Sequence, residues 1–157
     1  MLEMIPTPGA QVLGGLQNRR GDVLAPCVMG LYRNRLGGTV CAAGYYPASE
    51  LTDLSKYTQL RRIFRLLSGD SLPAVVESYE RIRVIAHNGP AAVTFLNTTP
   101  DHLKDVSVLV AGHMTHLTLV DERDTATCLH AQGRDGNMTR FVIPEIRPLE
   151  MVLLADQ

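Results

Sequence analysis

The sequence contains no tryptophan, and its only aromatic residues are five Tyr and three Phe among 157 positions. Sugar-binding sites draw much of their contact from flat aromatic faces, so a chain this poor in them offers few candidates for such a site. Cysteine is also scarce. Cys27, Cys41 and Cys128 lie far apart in apolar surroundings, their number is odd, and no pair has metal-ligand spacing, so they read as buried free thiols. Neither sign of charge is in excess: 15 basic residues face 16 acidic ones, for a net charge of -1. No strong field is available to attract nucleic acid or an anionic membrane, and neither is an expected partner. No segment is long and apolar enough to span a bilayer. Met1-Leu2-Glu3-Met4-Ile5-Pro6-Thr7-Pro8 lacks the basic patch and apolar core of a signal peptide. If the chain is a piece of a larger protein, that says nothing about the parent's export, and localisation stays open.

What is present is globular in texture: hydrophobic residues are 45 % and charged residues 20 % of the chain, too apolar for a disordered one. The chain splits near Ser68-Gly69-Asp70-Ser71-Leu72-Pro73. We read 1–72 as a partial α/β segment and 73–157 as an antiparallel β-sandwich of about seven strands, an α+β chain that is mainly β.

In the first part, Gln11 to Leu16, Cys27 to Tyr32 and Thr39 to Ala43 read as strands, with Arg33-Asn34-Arg35-Leu36-Gly37-Gly38 as the turn between the last two. Leu54, Tyr57, Leu60, Phe64 and Leu67 recur at helical spacing and form one apolar stripe that should be covered. Thr52 or Ser55 can cap this helix, Asp53 favours its positive end, and Gly69 can stop it. After Pro73, short alternating runs follow one another: Ile82 to His87, Ala91 to Leu96, Val106 to Val110, His116 to Val120, Ala126 to Ala131, Thr139 to Ile143 and Leu149 to Leu154. Gly133-Arg134-Asp135-Gly136-Asn137 reads as a hairpin loop. Val93, Phe95, Val106, Val108, Val110, Leu117, Leu119, Phe141 and Val142 are the predicted core.

Candidate chemistry is thin. His113-Met114-Thr115-His116 lacks the i, i+4 spacing and flanking acid of a helical zinc motif, and residues three apart on a strand point to opposite faces. His87, His102 and His130 are scattered. No Ser lies in a G-x-S-x-G context, and Cys128 beside His130 reads as core packing. Asp121, Glu122 and Asp124 cluster with Arg123 in what reads as a solvated turn. Glu77 and Glu80 flank Tyr79 next to Arg81 and Arg83, as on a charged exposed face. Neither cluster has the opposed placement that paired-carboxylate glycoside hydrolysis needs. Gly37-Gly38 lacks the phosphate-loop frame. Asn97-Thr98-Thr99 and Asn137-Met138-Thr139 match the short glycosylation sequon. We therefore expect no catalytic residue, no metal and no cofactor in this chain. Tyr45 and Tyr46, adjacent before Pro47 at the end of a strand, are the best carbohydrate-contact candidates.

Asn34-Arg35-Leu36-Gly37-Gly38-Thr39-Val40, then Gly44-Tyr45-Tyr46-Pro47, then Gln59-Leu60, resembles the end of the amidotransferase-like α/β domain of β-galactosidase-like glycoside hydrolases. Ala92-Val93, Leu96-Asn97, Ile143-Pro144 and Leu149 to Leu154 resemble their small C-terminal β-sandwich. Thr39 stands where an Arg is more usual. In that family the catalytic acids lie in a separate upstream barrel, so the resemblance carries no catalytic residue onto this chain. It implies a non-catalytic accessory or interaction module of a larger carbohydrate-active protein. The partners it implies are the upstream domains of that parent or a second copy of the chain. An independent carbohydrate-binding module and a small enzyme with an unrecognised site are the alternatives. An exposed aromatic line would favour the first alternative, and a deep pocket with a desolvated titratable group the second.

Overall fold

The computed structural model describes residues 2–46, 54–69, 71–78, 81–87 and 92–156. Among these residues the chain is mainly β, with three antiparallel sheets and one helix. It divides into two compact units, Met1–Asp70 and Ser71–Gln157.

In the first unit, β1 (Gln11–Gln17), β2 (Val23–Arg33) and β3 (Thr39–Ala43) form a sheet in the order β1-β2-β3. Both connections use the same five-residue turn, and its chemistry is explicit. Asn34 Oδ1 accepts hydrogen bonds from Leu36 N at 3.0 Å and Gly38 N at 2.8 Å, while Gly37 adopts φ 84°. Asn18 Oδ1 likewise accepts from Arg20 N at 2.8 Å and Asp22 N at 3.0 Å, with Gly21 at φ 90°. A short side-chain acceptor at the first position and a left-handed residue at the fourth are what such a turn requires.

The helix α1 spans Leu54–Ser68, and Gly69, at φ 57°, ends it where the sequence placed the stop. Of its proposed caps, Thr52 and Asp53 lie outside the described residues, and Ser55 falls inside the helix. The expected covered stripe is only partly covered. Tyr57, Leu60 and Leu67 are half-buried, and Phe64 is 60 % exposed. Helical periodicity fixes which residues share a face, but it does not fix how wide a strip of that face a neighbour meets. The first unit's buried residues are instead on β2, where Ala25, Cys27, Val28 and Met29 are enclosed.

The second unit consists of two sheets. One has the order β10-β11-β7-β4, from β4 (Ala74–Val76), β7 (Leu103–Ala111), β10 (Gly133–Asp135) and β11 (Met138–Ile146). The other has the order β5-β6-β12-β8-β9, from β5 (Ile82–Ala86), β6 (Ala92–Asn97), β8 (His116–Val120), β9 (Ala126–His130) and β12 (Met151–Ala155). All pairings are antiparallel. The two sheets share one core, as in a sandwich: Val106, Val108, Val110, Phe141, Ile143 and Ile146 from the first meet Val93, Phe95, Leu117, Leu119, Leu129, Val152 and Leu154 from the second.

The expected seven strands become nine in the described residues: β10 falls where a hairpin loop is expected, and β4 precedes the first expected run. Each is three residues long, too short for alternation to register. β10 is half of a hairpin whose two-residue loop opens on Gly136 at φ 62°, as a type II′ turn requires. Eight of the nine predicted core residues are buried. Val142 is not among them, since Phe141 and Ile143 point inward and a period of two turns the residue between them to the other face. Pro144 interrupts the pairing of β11 with β7, and Asp105, opposite it on β7, takes φ 52°. Proline has no N–H to offer the ladder at that point.

Candidate functional site

The two tyrosines selected from the sequence have different surroundings. Tyr45 is half-buried, its hydroxyl donates to Gln59 Oε1 at 3.1 Å, and Lys56 Nζ lies 4.9 Å from its ring centroid. One π-face and the hydroxyl of Tyr45 are thus engaged by α1. Tyr46 is 72 % exposed. Adjacency in sequence does not make the pair one platform.

The acid-rich concavity of the second unit, about 160 Å³, is lined by Asp121, Glu145, Arg147 and Glu150 over Leu119, Pro144 and Val152, with Thr125 and Thr127 at its side. This is below the several hundred Å³ usual for a small-molecule site. Each of its carboxylates is tied to local structure. Asp121 Oδ1 accepts from Arg123 N and Thr125 N, both at 2.9 Å, and those backbone bonds hold its pKa below the usual aspartate range. Asp124, at φ 57°, fills the left-handed position of this turn, so Asp121 to Thr125 repeats the five-residue geometry seen at Asn18 and Asn34. The reading of this acidic cluster as a turn agrees with that geometry. Glu145 Oε1 is 3.0 Å from His102 Nδ1, and this contact lowers the Glu145 pKa. Glu150 is 5 % exposed and accepts from Arg147 N at 2.6 Å. Glu122 accepts from Met151 N at 3.0 Å.

The strongest polar constellation is one that the sequence did not reveal. Glu77, just beyond β4, accepts from Arg140 Nε at 2.6 Å and Arg140 Nη2 at 2.8 Å, a two-pronged ion pair, and from Ser107 Oγ at 2.6 Å. The pair is partly shielded, with side-chain exposures of 28 % for Glu77 and 37 % for Arg140. The Arg140 guanidinium is the main reason the Glu77 carboxyl titrates below its ordinary range. Glu77, Ser107 and Arg140 bridge β4, β7 and β11, so this triad clamps one sheet. Its separation along the chain hid it, although an Arg amid the alternating core residues of β11 is a signal for a partner on the outer face. Glu80 lies outside the described residues.

No family model, curated protein or solved structure matches this chain. The N-x-x-G-G segment that carries the glycoside-hydrolase resemblance has a local reason in the Asn34 turn, where the carboxamide and the left-handed Gly37 build a hairpin.

The other candidates resolve individually. Among the described residues no group of three or more His, Cys, Asp or Glu could hold a metal ion. His113 lies in the connection after Gly112, and His116 opens β8 opposite His130. His87 Nε2 lies 2.7 Å from Thr94 Oγ1, a partner not visible in the sequence. The thiols differ from the expectation of uniform burial: Cys27 is buried, Cys41 half-buried and Cys128 exposed. On β9 it is Leu129 that enters the core, so Ala126, Cys128 and His130 take the opposite face.

Both sequons have structural employment. Asn97 is fully buried, and its Nδ2 donates to the carbonyls of Asp101 at 2.8 Å and Arg147 at 2.9 Å. Thr139 is fully buried, donating to Gly112 O at 2.6 Å and accepting from Met114 N at 3.2 Å. No helix among the described residues is long and apolar enough to cross a membrane.

Proposed function

We propose that this chain is a non-catalytic accessory or interaction module, and that the larger protein it serves is carbohydrate-active. The first part rests on how the polar side chains are used. Asp121 builds a turn, Glu150 and Glu122 hold backbone N–H groups, and Glu77 is saturated by Arg140 and Ser107. A general acid or nucleophile needs a carboxyl facing substrate with its pKa tuned toward its task. The shifts at Glu77, Asp121 and Glu145 all run downward, away from what a general acid requires, and a nucleophilic role is opposed instead by the hydrogen bonds that already occupy these carboxylates. The carbohydrate-active parent is supported only by the resemblance of the Asn34 to Val40 and Gly44 to Pro47 segments. A self-standing carbohydrate-binding module is the weaker reading, because α1 already occupies Tyr45.

The test is to incubate the purified chain with a panel of chromogenic glycosides and to titrate it with oligosaccharides by calorimetry. We expect no turnover that a substitution within the chain removes, and no saturable binding that depends on Tyr46. Hydrolysis abolished by Glu145→Gln or Asp121→Asn would overturn the non-catalytic reading. Saturable binding lost in Tyr46→Ala would favour the binding module.

A further inference from the structure

The outer edge of the five-stranded sheet is formed by β9, and among the described residues no backbone hydrogen bond reaches its outer side. Strand β9 pairs with β8 in unbroken register from Val120↔Ala126 to His116↔His130. Two flanking bonds fix which groups that pairing uses: Ala131 N donates to Thr115 O at 2.9 Å, and Asp121 N to Thr125 O at 3.2 Å. Hydrogen-bonded pairs alternate along an antiparallel ladder. The inward groups of β9 therefore belong to Thr127 and Leu129, and the N–H and C=O of Ala126, Cys128 and His130 point away from the sheet. Every residue of β9 except Leu129 is exposed.

Exposed edges are ordinarily guarded by charge, proline, a bulge or shortness. Ala126-Thr127-Cys128-Leu129-His130 has none of these. The other edges do: β1 is irregular in register, β4 and β10 have three residues each, and β5 carries Arg83. Strand β3 is uncharged, but α1 lies against it.

We propose that a second copy of the chain docks on this edge, β9 against β9, antiparallel about a two-fold axis at Cys128, so that one sheet runs through both copies. This deepens the interaction-module reading by naming its surface and partner. The strand is complementary to itself in that register. Each Ala126 faces His130 of the other copy, small against large, Thr127 faces Leu129, and Cys128 faces its own counterpart. Beyond the strand, Asp124 faces Gln132, so no like charges meet. The three outward residues of each copy exchange backbone hydrogen bonds pairwise. A five-residue edge buries less than the roughly 1,200 Å² of a standard interface, so the dimer is concentration-dependent.

In this register the two Cys128 Cα atoms are about 5.5 Å apart, the spacing of a hydrogen-bonded cross-strand pair, which makes Cys128 its own reporter. The experiment combines sedimentation velocity over a dilution series with cross-linking by a short bis-maleimide and peptide mapping. Wild type should dimerise reversibly and cross-link Cys128 to Cys128. Cys128→Ser should keep the dimer and lose the cross-link. Cys128→Lys sets two ammonium groups face to face and should weaken association about tenfold or more. Ala126→Pro should weaken it too by deleting an intermolecular donor. Because both positions are exposed, circular dichroism should show each variant folded. A monomer at every concentration, a dimer unaffected by either variant, or a cross-link mapping to Cys41 overturns the inference. A monomer that captures a different protein along β9 also overturns it while leaving the interaction-module reading intact; turnover by an intact dimer does the reverse.

Discussion

Removing the Glu77 carboxylate should destabilise the second unit measurably, and the structure bounds by how much. Glu77→Ala deletes the acceptor of three short hydrogen bonds, two from Arg140 and one from Ser107. An exposed ion pair contributes about 0–1 kcal/mol. Breaking a fully buried one costs about 3–5 kcal/mol, because the remaining charge is stranded. With both side chains about one-third exposed, water partly rescues Arg140, and we expect a loss of about 1.5–2 kcal/mol. For a unit of this size that lowers its Tm by roughly 6–16 °C, readable by calorimetry or circular dichroism. Glu77→Gln keeps an acceptor without charge and should lose about half as much. Arg140→Ala should resemble Glu77→Ala, and the double variant should cost clearly less than the sum. The sign with pH follows from the depressed folded pKa. The contribution is complete above the ordinary glutamate value of about 4.3 and disappears as pH falls through the lower folded value. The gap between wild type and Glu77→Ala should therefore close in acid. A Glu77→Ala protein within about 0.3 kcal/mol of wild type, or a gap that persists undiminished at low pH, would refute the clamp.

Three further outcomes follow from buried groups and exposure. Thr139→Val keeps the shape but strands Gly112 O and Met114 N, and should cost about 1–3 kcal/mol in urea unfolding, with Thr139→Ser close to wild type. Asn97→Leu leaves the carbonyls of Asp101 and Arg147 without their donor and should cost about 3 kcal/mol or more, by the same assay. In the folded protein iodoacetamide should label Cys128 readily and Cys27 only after denaturant is added, and equal rates for the two would contradict their exposures.

The alternation that marked Val106, Val108 and Val110 as inward also located Phe95, Leu117 and Leu119, because a sheet buried on one face writes its period directly into the chain. The same rule failed by one residue where neighbours were similar in polarity. Val142 and Cys128 each stand beside apolar residues, and only the packed core shows that Phe141, Ile143 and Leu129 point inward. The C-terminal end of the helix was legible from Gly69, but the exposure of Phe64 was not, since it depends on what meets the helix. The candidate site was the least legible. Tyr45 was identifiable as aromatic, yet its engagement with Gln59 and Lys56 is tertiary. The pairing of Glu77 with Arg140 joins strands whose adjacency follows only from the sheet order.

The turn shared by Asn18, Asn34 and Asp121 fixes how its first residue can change. Its acceptor oxygen can come from a carboxamide or a carboxylate, as the Asp121 copy demonstrates, so exchanging Asn34 for Asp leaves the hairpin its two backbone bonds. Asn18 lacks that freedom, because its Nδ2 also donates to Asp22 Oδ2 at 2.7 Å. Hydrolysis of the Asn18 amide would set two carboxylates against each other at the tip of the first hairpin, whereas the same event at Asn34 would be tolerated. Loss of one amide nitrogen thus separates two loops of identical geometry into one that survives chemical ageing and one that does not.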